Sequence, residues 1–169
     1  MDGEPQHWHE ENSEEFLDYG TYFVPERELQ METICDLIPA PPPGAHLLEL
    51  CCGEGLLCRV LLERFPASSV HAIDGSPRMV ETARALLAGF GGRFDAQLAE
   101  LSDRSWRRFP WPLHAAVSSL AIHHLDGAQK RALFRDMHQA LAPGGVLVIA
   151  DLILPAAPPG FQVAGKAWD

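Results

Sequence analysis

Residues 45–55, AHLLELCCGEG, decide the fold. The first seven, 45–51, form a short apolar run of the kind that makes a buried strand. A turn carrying Gly53 and Gly55 follows, and 55–65 reads as a helix with Leu57, Val60, Leu61 and Leu62 inward. Working outward, 69–74 (SVHAID) is a second strand. Ser76 is a good N-cap with Pro77 at the first helical position, and that helix runs to about residue 87. A third, weaker strand lies in 93–101 and a fourth in 115–121 (AAVSSLA). Asp126 caps a helix reaching about residue 141, with Leu125, Ala128, Leu133, Phe134 and Met137 as its apolar positions. Pro143-Gly144-Gly145 turns the chain into the clearest strand, 146–152 (VLVIADL).

Near-continuous apolar strands alternating with helices predict a parallel sheet covered on both faces. The order reads β-α-β-α-β-(α)-β-α-β, with no residues assigned to the bracketed helix between strands three and four. With right-handed crossovers the fold class is α/β, a Rossmann-like doubly wound parallel sheet of five predicted strands. Ligands of such sheets bind beyond the carboxyl ends of the strands, where strand order reverses.

The chain has 169 residues, 47% hydrophobic and 21% charged, a globular composition that suits one core domain. Proline clusters at 39–43 and 155–159 mark off three stretches: a leader (1–43), a body (44–154) and a tail (155–169). No apolar run approaches the roughly 18 residues of a membrane span. Met1-Asp2-Gly3-Glu4 lacks the basic-then-apolar order of a signal peptide, so the default location is cytoplasmic. Residues 1–36 hold eleven acids and one base, which accounts for the whole net charge of −10. The leader reads as a solvated acidic face. The body is neutral and offers no basic stripe, which argues against direct nucleic-acid binding. Cys35, Cys51, Cys52 and Cys58 show no metal-ligand spacing and are expected to be reduced. Within the leader, 25–38 reads as a helix on Leu29, Met31, Ile34, Leu37 and Ile38.

Gly53 and Gly55 let a ligand approach the backbone closely. Asp74 closes the second strand 21 residues after Gly53, where a carboxylate accepts from ribose hydroxyls. The pattern departs from a dinucleotide fingerprint, because Cys58 stands where a third glycine or alanine belongs. Glu49 would repel a pyrophosphate and attract a cation. A nucleoside with a cationic side chain satisfies both observations.

The motifs Glu49-x-Cys51-x-Gly53-x-Gly55, Val70-His-Ala-Ile-Asp74-Gly75-Ser76-Pro-x-Met79, Ser118-Ser119-Leu120-Ala-Ile-His123-His124-Leu and Leu141-Ala-Pro-Gly144-Gly145-x-Leu-x-x-x-Asp151 resemble class I S-adenosylmethionine-dependent methyltransferases of the small-molecule type. The resemblance covers about 47–152. It implies S-adenosylmethionine as cofactor and a small-molecule methyl acceptor. Glu49, Cys51, Gly53 and Gly55 would hold the methionine portion, with Ser119 and Leu120 beside it. Asp74 and Gly75 would meet the ribose, Ser76 and Met79 would flank the nucleoside, and Gln97, Leu98 and Ala99 would meet the adenine. The family usually has glycine at Cys51, aspartate where Gln97 aligns and aspartate at Ala115. His123 and His124, after strand four, are candidate catalytic bases. Tyr19, Tyr22 and Phe23 are candidates for a lid over the substrate. Trp106, Phe109 and Trp111 read as core or loop packing rather than a base-stacking platform.

The family sheet has seven strands, so the resemblance also implies an absence of the last two. Strand five would then be an exposed edge, open to self-association or a partner. The alternative to a methyltransferase is a non-catalytic cofactor-binding or interaction module. A nucleotide-dependent oxidoreductase on the same fold is the weakest reading.

Overall fold

The computed structural model describes residues 26–152. A parallel sheet is formed by β1 (His46–Leu50), β2 (Ser69–Asp74), β3 (Phe94–Leu98), β4 (Leu113–Ser119) and β5 (Leu141–Ala150). The strand order is β3-β2-β1-β4-β5, so the direction of winding reverses between β1 and β4. The helices are α1 (Arg27–Asp36), α2 (Leu56–Arg64), α3 (Pro77–Leu86) and α4 (Gly127–Ala140). This is the doubly wound architecture expected from the sequence. Among the described residues, no helix is long and apolar enough to cross a membrane.

Alternation along the strands divides the core. Leu47, Val70, Ala72, Ala115 and Val117 face α1, α2 and α3. Leu48, Leu50, Ile73 and Ala116 face α4 and the long connection after β3. Helix α1 buries Met31, Ile34 and Cys35, while Leu29 and Leu37, expected inward, are exposed. In α4, Leu133 and Met137 are buried, whereas Ala128 and Phe134 face outward. The helix starts as expected, with Asp126 in a full capping box with Gln129.

Two expectations are corrected. Residues 99–112, between β3 and β4, contain no helix. Side chains there bind the carbonyls that a helix would use. The Trp106 indole donates to Glu100 O (2.9 Å), and the Arg107 guanidinium donates to Leu101 O (2.7 Å) and Ser102 O (3.2 Å). Trp106 is buried, and Phe109 and Trp111 pack against the second core.

Pro143-Gly144-Gly145 is the other correction. It lies inside β5 as a bulge rather than before it as a turn. Leu141 pairs with Leu113, the register shifts, and Val146 then pairs with Ala115. A Cβ on Gly145 would stand 2.9–3.0 Å from the carbonyl oxygens of His114, Ala142 and Leu113. These are backbone atoms and cannot swing aside. Gly145→Ala is therefore expected to cost about 1–3 kcal/mol in urea unfolding; an unchanged midpoint would show that the bulge yields.

Candidate functional site

At the carboxyl ends of β1 and β2 one carboxylate ties two turns together. The Cys52 amide donates to Ile73 O (3.0 Å), which draws the glycine turn over β2. Asp74, buried, then accepts from the Gly53 amide at 2.8 Å and from the Ser76 amide at 2.9 Å. Ser76 Oγ accepts from the Met79 amide (3.1 Å), which starts α3 and buries Met79 beneath the turn. Gly55 caps α2 at φ 88°, and a Cβ there would stand 3.0 Å from Ala83 Cβ and 3.3 Å from its Cα. Glycine is what lets α2 begin against α3. Cys51 (φ 57°) and Leu120 (φ 54°) hold left-handed conformations at the ends of β1 and β4. For non-glycine residues that is local strain, of the kind concentrated at ligand sites.

Glu49, on β1, is buried beneath this turn. The Cys58 thiol, from α2, donates to Glu49 Oε2 at 2.7 Å. Burial pushes the Glu49 pKa up to about 8; the nearby Asp74 charge adds to this, while the Cys58 hydrogen bond and the Arg27 charge oppose it. Burial also raises the Cys51 and Cys58 thiols well above their ordinary values, so neither is a ready thiolate nucleophile. All four cysteines are free.

Gln97 and Leu98, expected at an adenine, are exposed on the edge strand β3, and the Ala99 amide donates to Asp74 O (2.9 Å). The acid beside this turn is one the sequence reading did not select. Both Glu100 carboxylate oxygens stand 3.2 Å from where a Gly75 Cβ would be. Its signal was its place as the first acid after β3.

At the end of β4, Ser119 Oγ donates to Gln30 Oε1 (2.7 Å), and the Leu120 amide donates to Ala150 O (2.8 Å). Arg27 Nη1 reaches Glu54 Oε1 at 3.2 Å, so α1 is tied to both the glycine turn and β4. His123 lies in a short turn, Ile122–His124. Its Nδ1 is 2.6 Å from Asp151 Oδ1, and its amide donates to Asp151 Oδ2 (3.0 Å). The His124 ring lies 4.1 Å from that of His123, and burial lowers its pKa. Asp151 was quoted in the sequence motif without a role. Tyr19, Tyr22 and Phe23 lie outside the described residues.

The donor set has a clear chemical sense. Glu49 and Asp74 bring acceptor oxygens to the glycine turn, and Glu100 brings its own beside Gly75 in the next turn. Nothing stands within 4 Å of where a Gly53 Cβ would be, so a ligand can approach that backbone. Hydroxyls and a positive charge fit this cradle; a pyrophosphate does not. Among the described residues, no cluster of His, Cys, Asp and Glu is arranged to hold a metal ion.

A family model described as a methyltransferase domain matches residues 47–145. The chain is 35% identical over 120 residues to ribosomal RNA small subunit methyltransferase C of Pseudomonas aeruginosa, covering 69% of this chain and 35% of that protein. It is 32% identical over 112 residues to trans-aconitate 2-methyltransferase of Streptomyces coelicolor, covering 66% of this chain and 35% of the relative. Among solved structures it is similar to an S-adenosylmethionine-dependent methyltransferase from Mesorhizobium loti, at 33% identity and a TM-score of 0.58. That match covers 70% of this chain and 51% of the other. The chain thus spans about a third of the length of these two curated relatives.

Proposed function

Because the chain belongs to the methyltransferase-domain family, we propose that it transfers a methyl group from S-adenosylmethionine to a hydroxyl of a small-molecule acceptor. The observation that carries this reading is the placement of Glu49 and Asp74 at the open glycine turn, with Glu100 beside Gly75 in the next turn. Bound there, the cofactor supplies an activated methyl group on a positively charged sulfur.

Asp74 accepts from the ribose hydroxyls. A carboxylate offers about four acceptor positions, so it does this while holding the Gly53 and Ser76 amides. Gly75, Ser76 and Met79 flank the nucleoside. Gln97, Leu98 and Ala99 border the adenine, with Glu100 beside them. Glu49, Cys51, Gly53 and Gly55 hold the methionine portion, facing Ser119 and Leu120. With the cofactor so held, its methyl group would pass to the acceptor oxygen by in-line displacement, and orientation would supply much of the rate.

His123 is assigned as the base. Its Nδ1 faces the Asp151 carboxylate, which can only accept when ionised. The ring proton therefore sits on Nδ1, and Nε2 takes the proton of the acceptor hydroxyl. Asp151 is a positioning residue. His124 packs against the His123 ring.

The test begins with calorimetric titration of the full chain with S-adenosylmethionine and S-adenosylhomocysteine. Methyl transfer from labelled cofactor to a panel of small hydroxylated acceptors follows. His123→Asn is expected to lower kcat at least 10²-fold with the cofactor Kd within about threefold. Asp151→Asn is expected to lower kcat about tenfold and shift the pH–rate profile, with KM little changed. An unchanged kcat for His123→Asn removes the base from the mechanism. A folded chain that binds neither cofactor form returns the protein to the interaction-module reading.

RNA as acceptor is a second reading, favoured by the ribosomal RNA methyltransferase relative. The neutral body and acidic leader oppose it, since phosphates demand a basic surface. An RNA arm in the same assay decides: label in RNA and in none of the small acceptors would replace the first reading.

A further inference from the structure

A groove of about 870 Å³ lies at the amino-terminal ends of the strands, opposite the glycine turn. It is bounded where β4 begins at Leu113 and where α4 passes into β5 at Leu141. Arg104, Arg107 and Arg108 line it against one acid, Asp136, so the lining carries two positive charges in excess. This is a concentration of charge that the neutral composition of the body conceals.

The arginines are built in. Arg104 Nε and Nη2 donate to the two Asp136 carboxylate oxygens (3.0 and 2.7 Å), and Arg107 Nη1 donates to the same carboxylate at 3.0 Å. Two guanidiniums thus share one counter-charge. The Arg107 side chain is only 2% exposed, and its Nε is buried with no hydrogen-bond partner among the described residues. Its Nη2 is taken by the Leu101 and Ser102 carbonyls, so Arg107 fixes Asp136 and the groove wall, while Arg104, 67% exposed, keeps its face to solvent. Arg108, exposed, stands at the same groove.

Apart from Gln139, the remaining wall is apolar. Trp111 lies 5.5 Å from Phe109 at 26°, and Pro110 and Pro112 stiffen the backbone between and after them. Behind Trp111, His46 stacks at 4.0 Å and His71 at 4.2 Å, with His46 Nδ1 3.0 Å from His71 Nε2. The indole is therefore held in place, as a rigid surface for a planar ligand.

We propose that this groove is a second binding site, for a small anion borne on a flat aromatic body: an aryl phosphate or an aryl carboxylate. The size suits a small molecule. The exposed Arg104 and Arg108 guanidiniums take the anionic head, and the Trp111–Phe109 wall takes the ring. The site does not depend on the methyltransferase reading, because it lies at the other end of the sheet.

The experiment is calorimetric titration of the full chain, with S-adenosylhomocysteine present in excess to keep the carboxyl-end cleft out of the readout. The probes are 1-naphthyl phosphate and 1-naphthoate, with inorganic phosphate and acetate as their head groups alone and 1-naphthol as the uncharged ring. One naphthyl anion is expected to bind at least tenfold more tightly than either part, and which one does identifies the head group. Arg108→Gln is expected to weaken it about fivefold. Arg59→Gln, an equal change in net charge on the exposed side of α2, is expected to leave it unchanged. Trp111→Leu should weaken the naphthyl probes and spare inorganic phosphate. If that variant fails to fold, judged by its circular dichroism, the Arg108 and Arg59 pair decides alone. No binding to the folded chain, inorganic phosphate binding as tightly as the naphthyl anions, or equal loss in Arg59→Gln overturns the proposal.

Discussion

Asp74→Ala is expected to weaken S-adenosylmethionine binding by about 10²–10⁴-fold and to destabilise the free chain as well. Both effects come from the same two oxygens. Hydrogen bonds to a charged group contribute about 1.5–3 kcal/mol each, and two ribose hydroxyls would be lost together. In the free chain the Gly53 and Ser76 amides, 2.8 and 2.9 Å from the carboxylate, would lose their acceptor. An unsatisfied buried donor costs about 1–3 kcal/mol, so the glycine turn would loosen before any ligand arrived. Asp74→Asn separates the two effects. Its carbonyl oxygen can still accept one amide, but its NH₂ group opposes the other and the charge is gone. Urea unfolding should show Asn more stable than Ala, while calorimetry shows both binding weakly. Affinity retained by a folded Asp74→Asn chain would remove Asp74 from the cofactor site.

How much of this was legible depends on the range over which each feature is determined. The second strand was read to the residue, because Ser76 and Pro77 mark its end locally. The link between Gly53 and Asp74 was visible as a spacing, since a βα unit of that length brings one strand end beside the next. The missing helix before β4 was not legible. Its replacement is fastened by Arg107 to Asp136, 29 residues away on α4, and no local periodicity records such a bond. Pro143-Gly144-Gly145 was misread for a related reason. Those residues turn a free chain, but here β4 holds both flanks in register and the excess is absorbed as a bulge.

The site follows the same division. Reading the third strand to residue 101 placed Glu100 inside it, whereas β3 ends at Leu98 and leaves Glu100 free to fold over Gly75. Gln97 is exposed on β3, and the acid beside Gly75 is Glu100, three residues later. His123 was legible from its place after strand four. Its partner Asp151 required knowing that β4 and β5 are neighbours, which the winding rule implies but the motif alone does not. Cys58 was read only as a departure from a glycine fingerprint. Its positive role, donating to a buried carboxyl, needed the helix to be set against β1.

That contact makes Glu49 the source of a pH dependence. Its carboxyl titrates near 4.5 when unfolded and is pushed up to about 8 in the folded chain by burial. Below pH 4.5 both states are protonated and the group contributes no slope. Between 4.5 and 8 the unfolded chain releases the proton and the folded chain keeps it, so stability falls as pH rises, by up to about tenfold in the folding equilibrium per pH unit. Above 8 both states are ionised and the loss is complete. Glu49→Gln keeps an acceptor for the Cys58 thiol and has no charge to bury. It should match the parent at pH 4.5 and become progressively more stable than it up to pH 8. Cofactor binding should run the other way. A positively charged ligand beside Glu49 favours its ionised form, so affinity should rise with pH toward 8, with up to one proton released per cofactor bound near neutrality. Calorimetry in two buffers of different ionisation enthalpy counts that proton. In Glu49→Gln the release and the slope should both vanish, with affinity at pH 8 reduced at least tenfold. The same slope in parent and variant would place the titrating group elsewhere and take Glu49 out of contact with the cofactor's charge.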